Sequence, residues 1–79
     1  MHKYTTRGVC SSAIEFDVEN NTIRQVKFVG GCDGNLKGIA KLTTGRQPEE
    51  IITMMSGIKC GNRPTSCPDQ LAAALRSLS

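Results

Sequence analysis

Ala13-Ile14-Glu15-Phe16-Asp17-Val18-Glu19-Asn20-Asn21 is the stretch that decides the fold. Ile14, Phe16 and Val18 alternate strictly with Glu15, Asp17 and Glu19. Successive side chains of a strand point to opposite faces, so this pattern predicts a strand with one face in a core and the other in water. Such half-buried strands belong to antiparallel sheets, because parallel strands are covered on both faces. Asn tolerates positive φ, so Asn20-Asn21 predicts a hairpin turn. Thr22 to Val29 is then the return strand, apolar at Ile23, Val26 and Phe28. Ile23 and Val26 differ in parity, which predicts a shifted register or a bulge.

Working outward, His2 to Val9 has the extended character of an edge strand, and Cys10-Ser11-Ser12 is a polar break. On the other side, Gly30-Gly31-Cys32-Asp33-Gly34-Asn35 packs three glycines into five residues, room for a sharp turn or a close approach. A short helix follows, Leu36 to Thr43, with Leu36, Ile39, Ala40 and Thr43 on one face, Asp33 or Asn35 as its cap and Gly45 as its stop. Pro48-Glu49-Glu50 opens a second helix, with proline first and acids in the first turn. Ile51, Ile52 and Met55 are its apolar side, Met54 and Met55 are read as core filler, and Gly57 ends it. Pro68 opens the last helix, Asp69 to Ser77, whose stripe is Leu71, Ala74, Leu75 and Leu78. Strands first and helices afterwards predict an α+β fold: a three-stranded antiparallel sheet followed by three helices on one face, in a single domain spanning 1–79.

Seventy-nine residues build a modest core, and such domains often add a metal, a disulfide or a partner. Trp is absent, and Tyr4, Phe16 and Phe28 are the only aromatics. Binding of single-stranded nucleic acid uses aromatic platforms beside basic residues, so nucleic acid is disfavoured as a partner. The net charge of +3 permits an anionic partner without announcing one. Met1-His2-Lys3-Tyr4-Thr5 has no apolar signal region and no segment is long enough to span a membrane, so a cytoplasmic location is expected. Thiols stay reduced there, which makes the four cysteines metal-binding or redox groups before structural disulfides.

Cys67 falls at or next to the N-cap of the last helix, where unpaired N–H groups and the helix dipole favour a thiolate. The rival reading has Ser66 or Thr65 as the cap and Cys67 as a small buried side chain. Cys10 ends the first strand and Cys32 follows the third, so a meander brings both to the same end of the sheet. Cys60 and Cys67 flank the loop before the last helix. The spacing contains no C-x-x-C. The expectation is one metal ion held by Cys10, Cys32 and Cys67, with Cys60 or Asp33 completing four ligands. Soft thiolates select zinc, the expected metal, or an iron–sulfur cluster, the alternative. A third reading leaves the cysteines buried and inert. Lys59 and Arg63, with the first-turn N–H groups of the last helix, form a candidate anion site for a phosphate or an acidic segment. No catalytic residue is assigned: His2 is terminal, the strand acids are surface positions, and the glycines of 30–34 lack the Lys-Ser/Thr ending of a P-loop.

Thr65-Ser66-Cys67-Pro68-Asp69 spells the signature of the TSCPD domain. Gly8-Val9-Cys10, Val29-Gly30-Gly31-Cys32-Asp33-Gly34-Asn35-Leu36, Gly57-Ile58-Lys59-Cys60-Gly61 and Asp69-Gln70-Leu71-Ala72 agree with it, so the chain resembles that family over nearly its whole length. The resemblance implies a link with adenosylcobalamin-dependent ribonucleotide reductases, whose C-terminal part such domains resemble. It thus implies a role in deoxyribonucleotide synthesis, with nucleotide, a reductase subunit or another redox protein as partners. Ribonucleotide reduction needs a barrel, a radical cysteine and a corrin site that 79 residues cannot enclose. The chain is therefore expected to act as a detached module or with partners. The element order also resembles the NifU-type iron–sulfur scaffold, a NifU/IscU-like arrangement, with Cys10, Cys32 and Cys67 aligned to its cluster cysteines. That likeness is looser: Ser11-Ser12 follows Cys10 where the scaffold has Gly-Asp, and Ser66 precedes Cys67 where it has His.

Overall fold

The computed structural model describes residues 2–31 and 33–78, Asp33 by its backbone alone. Three strands, β1 (His2–Thr5), β2 (Ser11–Glu19) and β3 (Thr22–Gly30), precede three helices, α1 (Asp33–Thr43), α2 (Pro48–Met55) and α3 (Cys67–Arg76). The strands form one antiparallel sheet in the order β1-β2-β3, so the α+β expectation holds.

The hairpin forms as its sequence requires. Asn20 and Asn21 take φ of 53° and 58°, the left-handed conformation that a tight two-residue turn demands. Asp17 pairs with Gln25 but Val18 pairs with Ile23, so Arg24 is skipped. That bulge resolves the parity conflict: it turns both Ile23 and Val26 into the core. They join Ile14, Phe16, Ile51, Leu71, Ala74 and Leu75, and all three helices pack residues against this cluster. On the opposite face Lys3, Glu15 and Lys27 lie side by side across the strands, alternating in charge.

A second bulge has no warning in the sequence. Ser11 pairs with Gly30 and Ala13 with Val29, leaving Ser12 without a counterpart. Ser12 is exposed and Ser11 is buried. Bulges re-aim side chains, and here the extra residue directs the Ser11 hydroxyl inward.

Four expectations need correction. β1 stops at Thr5 instead of reaching Val9: Thr6 still donates its N–H to the Ser12 carbonyl and its hydroxyl to that of Ser11, but Gly8, with φ of 73°, turns the chain out of the sheet. α1 begins at Asp33, so Asp33 and Asn35 both lie inside the helix and neither is its cap. Met54 is 60% exposed and is not core filler; its neighbours Ile51 and Met55 face the core. Leu78, beyond the end of α3, is 42% exposed, so the buried stripe of that helix stops at Leu75. Gly45 and Gly57, with φ of 91° and 87°, follow α1 and α2 as anticipated. Among the described residues no helix is long and apolar enough to cross a membrane.

Candidate functional site

The loop between β1 and β2 and the start of α3 meet at one corner of the domain. Ser66 is the N-cap of α3: its extended backbone turns the chain, and its hydroxyl accepts from the Asp69 N–H at 3.2 Å. The same hydroxyl donates to the Ile58 carbonyl at 2.7 Å, tying the incoming loop to the helix. Cys67 is the first residue of the helix, Pro68 the second and Asp69 the third. Gln70 reaches across to the other segment. Its amide oxygen accepts from the Arg7 N–H at 3.2 Å and its amide nitrogen donates to the Thr65 hydroxyl at 3.0 Å. Gly8, with φ of 73°, lets the loop pass close: a Cβ there would sit 3.3 Å from the Thr65 methyl.

These contacts bring two sulfurs together. Cys10 Sγ lies 3.8 Å from Cys67 Sγ, although 57 residues separate them in sequence. Cys67 is 7% exposed and Cys10 is on the surface. The Ser11 hydroxyl, turned inward by the bulge, is 3.3 Å from Cys67 Sγ. Gly31 completes the corner. Its φ of 82° belongs to glycine, and a Cβ on it would stand 2.8 Å from Leu36 Cδ1, 3.0 Å from Cys10 Sγ and 3.1 Å from the Ser11 backbone nitrogen. The backbone passes this close to Cys10 because residue 31 has no side chain.

Asp69 holds the signature segment from below. Its carboxylate accepts from the Thr65 hydroxyl and from the Gly57 N–H at 2.7 Å. The Thr65 bond first and then the Gly57 bond hold this carboxyl below the ordinary carboxylate range; burial opposes them, and the attraction of Arg76 is the smallest contribution.

The structure thus brings together two of the expected ligands, Cys10 and Cys67. Cys60 is exposed, in the turn that leads back to the signature: its N–H donates to the Thr65 carbonyl at 3.3 Å, and its carbonyl accepts from the Arg63 N–H at 3.0 Å. Lys59 and Arg63 are exposed on the same turn. Cys32 lies outside the described residues, as does the side chain of Asp33. Among the described residues no three His, Cys, Asp or Glu side chains converge. Ser11, Gly31 and Gln70 are the members of the corner that the sequence did not point to as such. Each acts through a contact distant in sequence, so no local pattern reveals it.

The family model of the TSCPD domain matches residues 2–79. The chain belongs to the TSCPD domain family. No curated protein and no solved structure matches it, so the likeness to NifU-type scaffolds gains no support there. Membership brings the family's association with ribonucleotide reductases. In this TSCPD domain the five signature residues divide the work of the corner. Thr65 and Asp69 bond to one another, Ser66 caps α3, Pro68 supplies a second helical position that needs no N–H, and Cys67 carries the sulfur.

Proposed function

We propose that this TSCPD domain is a thiolate metal-binding module that serves ribonucleotide reduction as an accessory part, not as its catalytic centre. The observation that carries the reading is the 3.8 Å separation of Cys10 Sγ and Cys67 Sγ. Two thiolates about 2.3 Å from a tetrahedral zinc are themselves about 3.8 Å apart. Cys32 is the third ligand in this reading. In sequence it directly follows Gly31, where an added Cβ would stand 3.0 Å from Cys10 Sγ. Cys60, on the loop tied to Thr65, or Asp33 completes the set. With Cys67 a metal-bound thiolate, the Ser11 hydroxyl, 3.3 Å from its sulfur, would donate to it from outside the ligand set and orient it. Zinc is the expected metal. A closed four-ligand site is structural, and its binding energy becomes folding energy. Adenosylcobalamin, nucleotide and the reductase partner belong to the assembly that this module would join. Lys59 and Arg63 offer that partner two exposed positive charges for a phosphate or an acidic segment.

Elemental analysis and a visible spectrum of protein purified without added metal test the reading. One zinc per chain, no visible colour, and loss of the metal in Cys67→Ser are the expected results. Brown protein with stoichiometric iron and sulfide would transfer the site to the iron–sulfur alternative. Metal-free protein whose melting temperature ignores chelators would remove the metal site. With adenosylcobalamin and a ribonucleotide, the isolated chain should show no turnover.

A further inference from the structure

We infer that, with no metal bound, Cys10 and Cys67 form a redox-active dithiol in which Cys10 attacks a disulfide and Cys67 resolves the product. The pair shares its sulfurs with the proposed metal site but does not depend on any metal being bound there.

Three observations assign the roles. Cys10 is exposed and Cys67 is 7% exposed, so an incoming disulfide meets Cys10 first. Cys67 Sγ waits 3.8 Å behind it, within reach of a mixed disulfide formed on Cys10. The Ser11 hydroxyl, 3.3 Å from Cys67 Sγ, is placed to donate to the resolving thiolate. The sulfurs must close from 3.8 Å to about 2.05 Å. Cys10 sits in the connection between β1, which ends at Thr5, and β2, which begins at Ser11. A shift of Cys10 therefore breaks no strand pairing.

The exchange balances. The Cys10 thiolate forms an S–S bond to one sulfur of the substrate disulfide, and the other sulfur leaves as a thiolate that takes up a proton. The Cys67 thiolate then attacks Cys10 Sγ, the Cys10–Cys67 bond forms, and the second substrate sulfur leaves as a thiol. Two electrons and two protons pass from the cysteine pair to the substrate. The substrate class is an accessible disulfide, whether a small molecule or a cystine on a partner protein.

Oxidised glutathione tests this on chelator-treated, reduced full-length Cys60→Ser protein, a background that removes the other thiol exposed among the described residues. The expected product has lost two hydrogens, retains no glutathione, and gives a peptide map joining Cys10 to Cys67. In the same background Cys67→Ser should stop at a stable glutathionyl adduct on Cys10, and Cys67→Ala should do the same if the serine variant is unstable. Cys10→Ser should react at Cys67 about tenfold more slowly, because thiol reactivity follows exposure. A bridge that uses Cys32 in place of either residue overturns the pairing. A lasting glutathionyl adduct on Cys10 while Cys67 is intact overturns the resolving role. Zinc content of the unsubstituted protein, measured before chelation, separates the two readings: protein that carried zinc but never exchanges once chelated loses only this inference, and protein without zinc that exchanges loses only the metal site. A partner cystine reduced under conditions where glutathione is not would identify the substrate as a protein, with the same two residues in the same roles.

Discussion

Two regions of this domain are specified by different physics. In the sheet–helix core, Ile14, Phe16, Ile23, Val26, Ile51, Leu71, Ala74 and Leu75 pack together, and the contacts are apolar. At the sulfur-bearing corner the buried positions are polar. Thr6, Ser11 and Ser66 are three of the four buried polar residues in the described chain, and all three are there. Each is bonded: Thr6 to the Ser11 carbonyl, Ser11 to Cys67, and Ser66 to Ile58 and Asp69. Among the described residues no buried side-chain nitrogen or oxygen lacks a partner. Apolar burial is strong and non-directional, so it sets stability and tolerates small shifts. Hydrogen bonds are individually weak in net terms but directional, so they set where two sulfurs stand. Mutations should separate the two regions: core changes cost stability and spare the sulfur geometry, and corner changes do the reverse.

The largest effect should come from Ile23→Ala. Ile23 is fully buried beside the hairpin turn, at the opposite end of β3 from the Gly30 that pairs with Ser11. Removing a buried isoleucine side chain down to alanine costs about 2–5 kcal/mol, a large share of the ~5–15 kcal/mol that holds most domains together. Urea unfolding should show that loss. Well below the unfolding midpoint, the alkylation rates of Cys10 and Cys67 should stay at wild-type values. If both rates change as much as stability does, the two regions are one cooperative unit and the division fails.

Gly31→Ala should show the converse. The substitution meets positive φ, and its Cβ would crowd Leu36, the Cys10 sulfur and the Ser11 backbone nitrogen, the last of which cannot swing aside. A strained position of this kind costs about 1–3 kcal/mol. The consequence at the corner should be greater than that cost suggests, because relief pushes Cys10 away from Cys67. Oxidative coupling of the two thiols should therefore slow by about tenfold or more, the factor that each ~1.4 kcal/mol of lost alignment supplies. Gly45→Ala is the control: φ is 91° there, but no atom lies within 4 Å of the added Cβ, so it bears strain alone and should leave coupling intact. Equal coupling in the two variants would mean that Gly31 does not set the sulfur geometry.

The core was legible in the sequence because its signals are local. Strict alternation over Ile14, Phe16 and Val18 needs only neighbours to be read, and so do the Asn20-Asn21 turn and the parity clash of Ile23 with Val26 that gave away a bulge. Helical phase was less secure at the ends of elements, where Met54 and Leu78 kept the spacing of a buried stripe but not its burial. The corner was legible only in outline. Meander topology was enough to bring Cys10 toward one end of the sheet, and Pro68 was enough to put Cys67 at a helix start. The Ser12 bulge, the reach of Gln70 to Arg7 and the crowding around Gly31 are contacts between segments far apart in sequence. No periodicity encodes them, so they surfaced only as an unexplained density of Gly, Ser, Thr and Cys.

The smallest effect concerns acid, and it falls on the corner alone. Asp69 joins the end of α2 to the start of α3 by accepting from the Thr65 hydroxyl and the Gly57 N–H, and Arg76 adds an attraction. Its folded-state pKa is therefore lower than the value of about 3.9 for a carboxyl in an unfolded chain. The folded state prefers the ionised form, so the stabilisation is complete above the unfolded value and is lost as pH falls through the folded one. From about pH 5 upward this group should give no slope at all, since the carboxyl is ionised in both states. Asp69→Asn removes the titration and leaves an amide whose NH2 cannot accept from either donor. Near neutral pH the variant should melt slightly below wild type, by less than Gly31→Ala does. On acidification below about pH 4 the wild-type curve should fall toward the variant's, because the protonated carboxyl loses the advantage that the amide never had. Melting temperatures followed from neutral to strongly acidic pH decide it. Curves that stay parallel would show that the Thr65 and Gly57 bonds do not depend on the charge, and curves that converge above pH 5 would assign the acid sensitivity to another group. Convergence in the expected range, with Ile23→Ala running parallel to wild type throughout, would place the acid-sensitive interaction at the corner and leave the core indifferent to it.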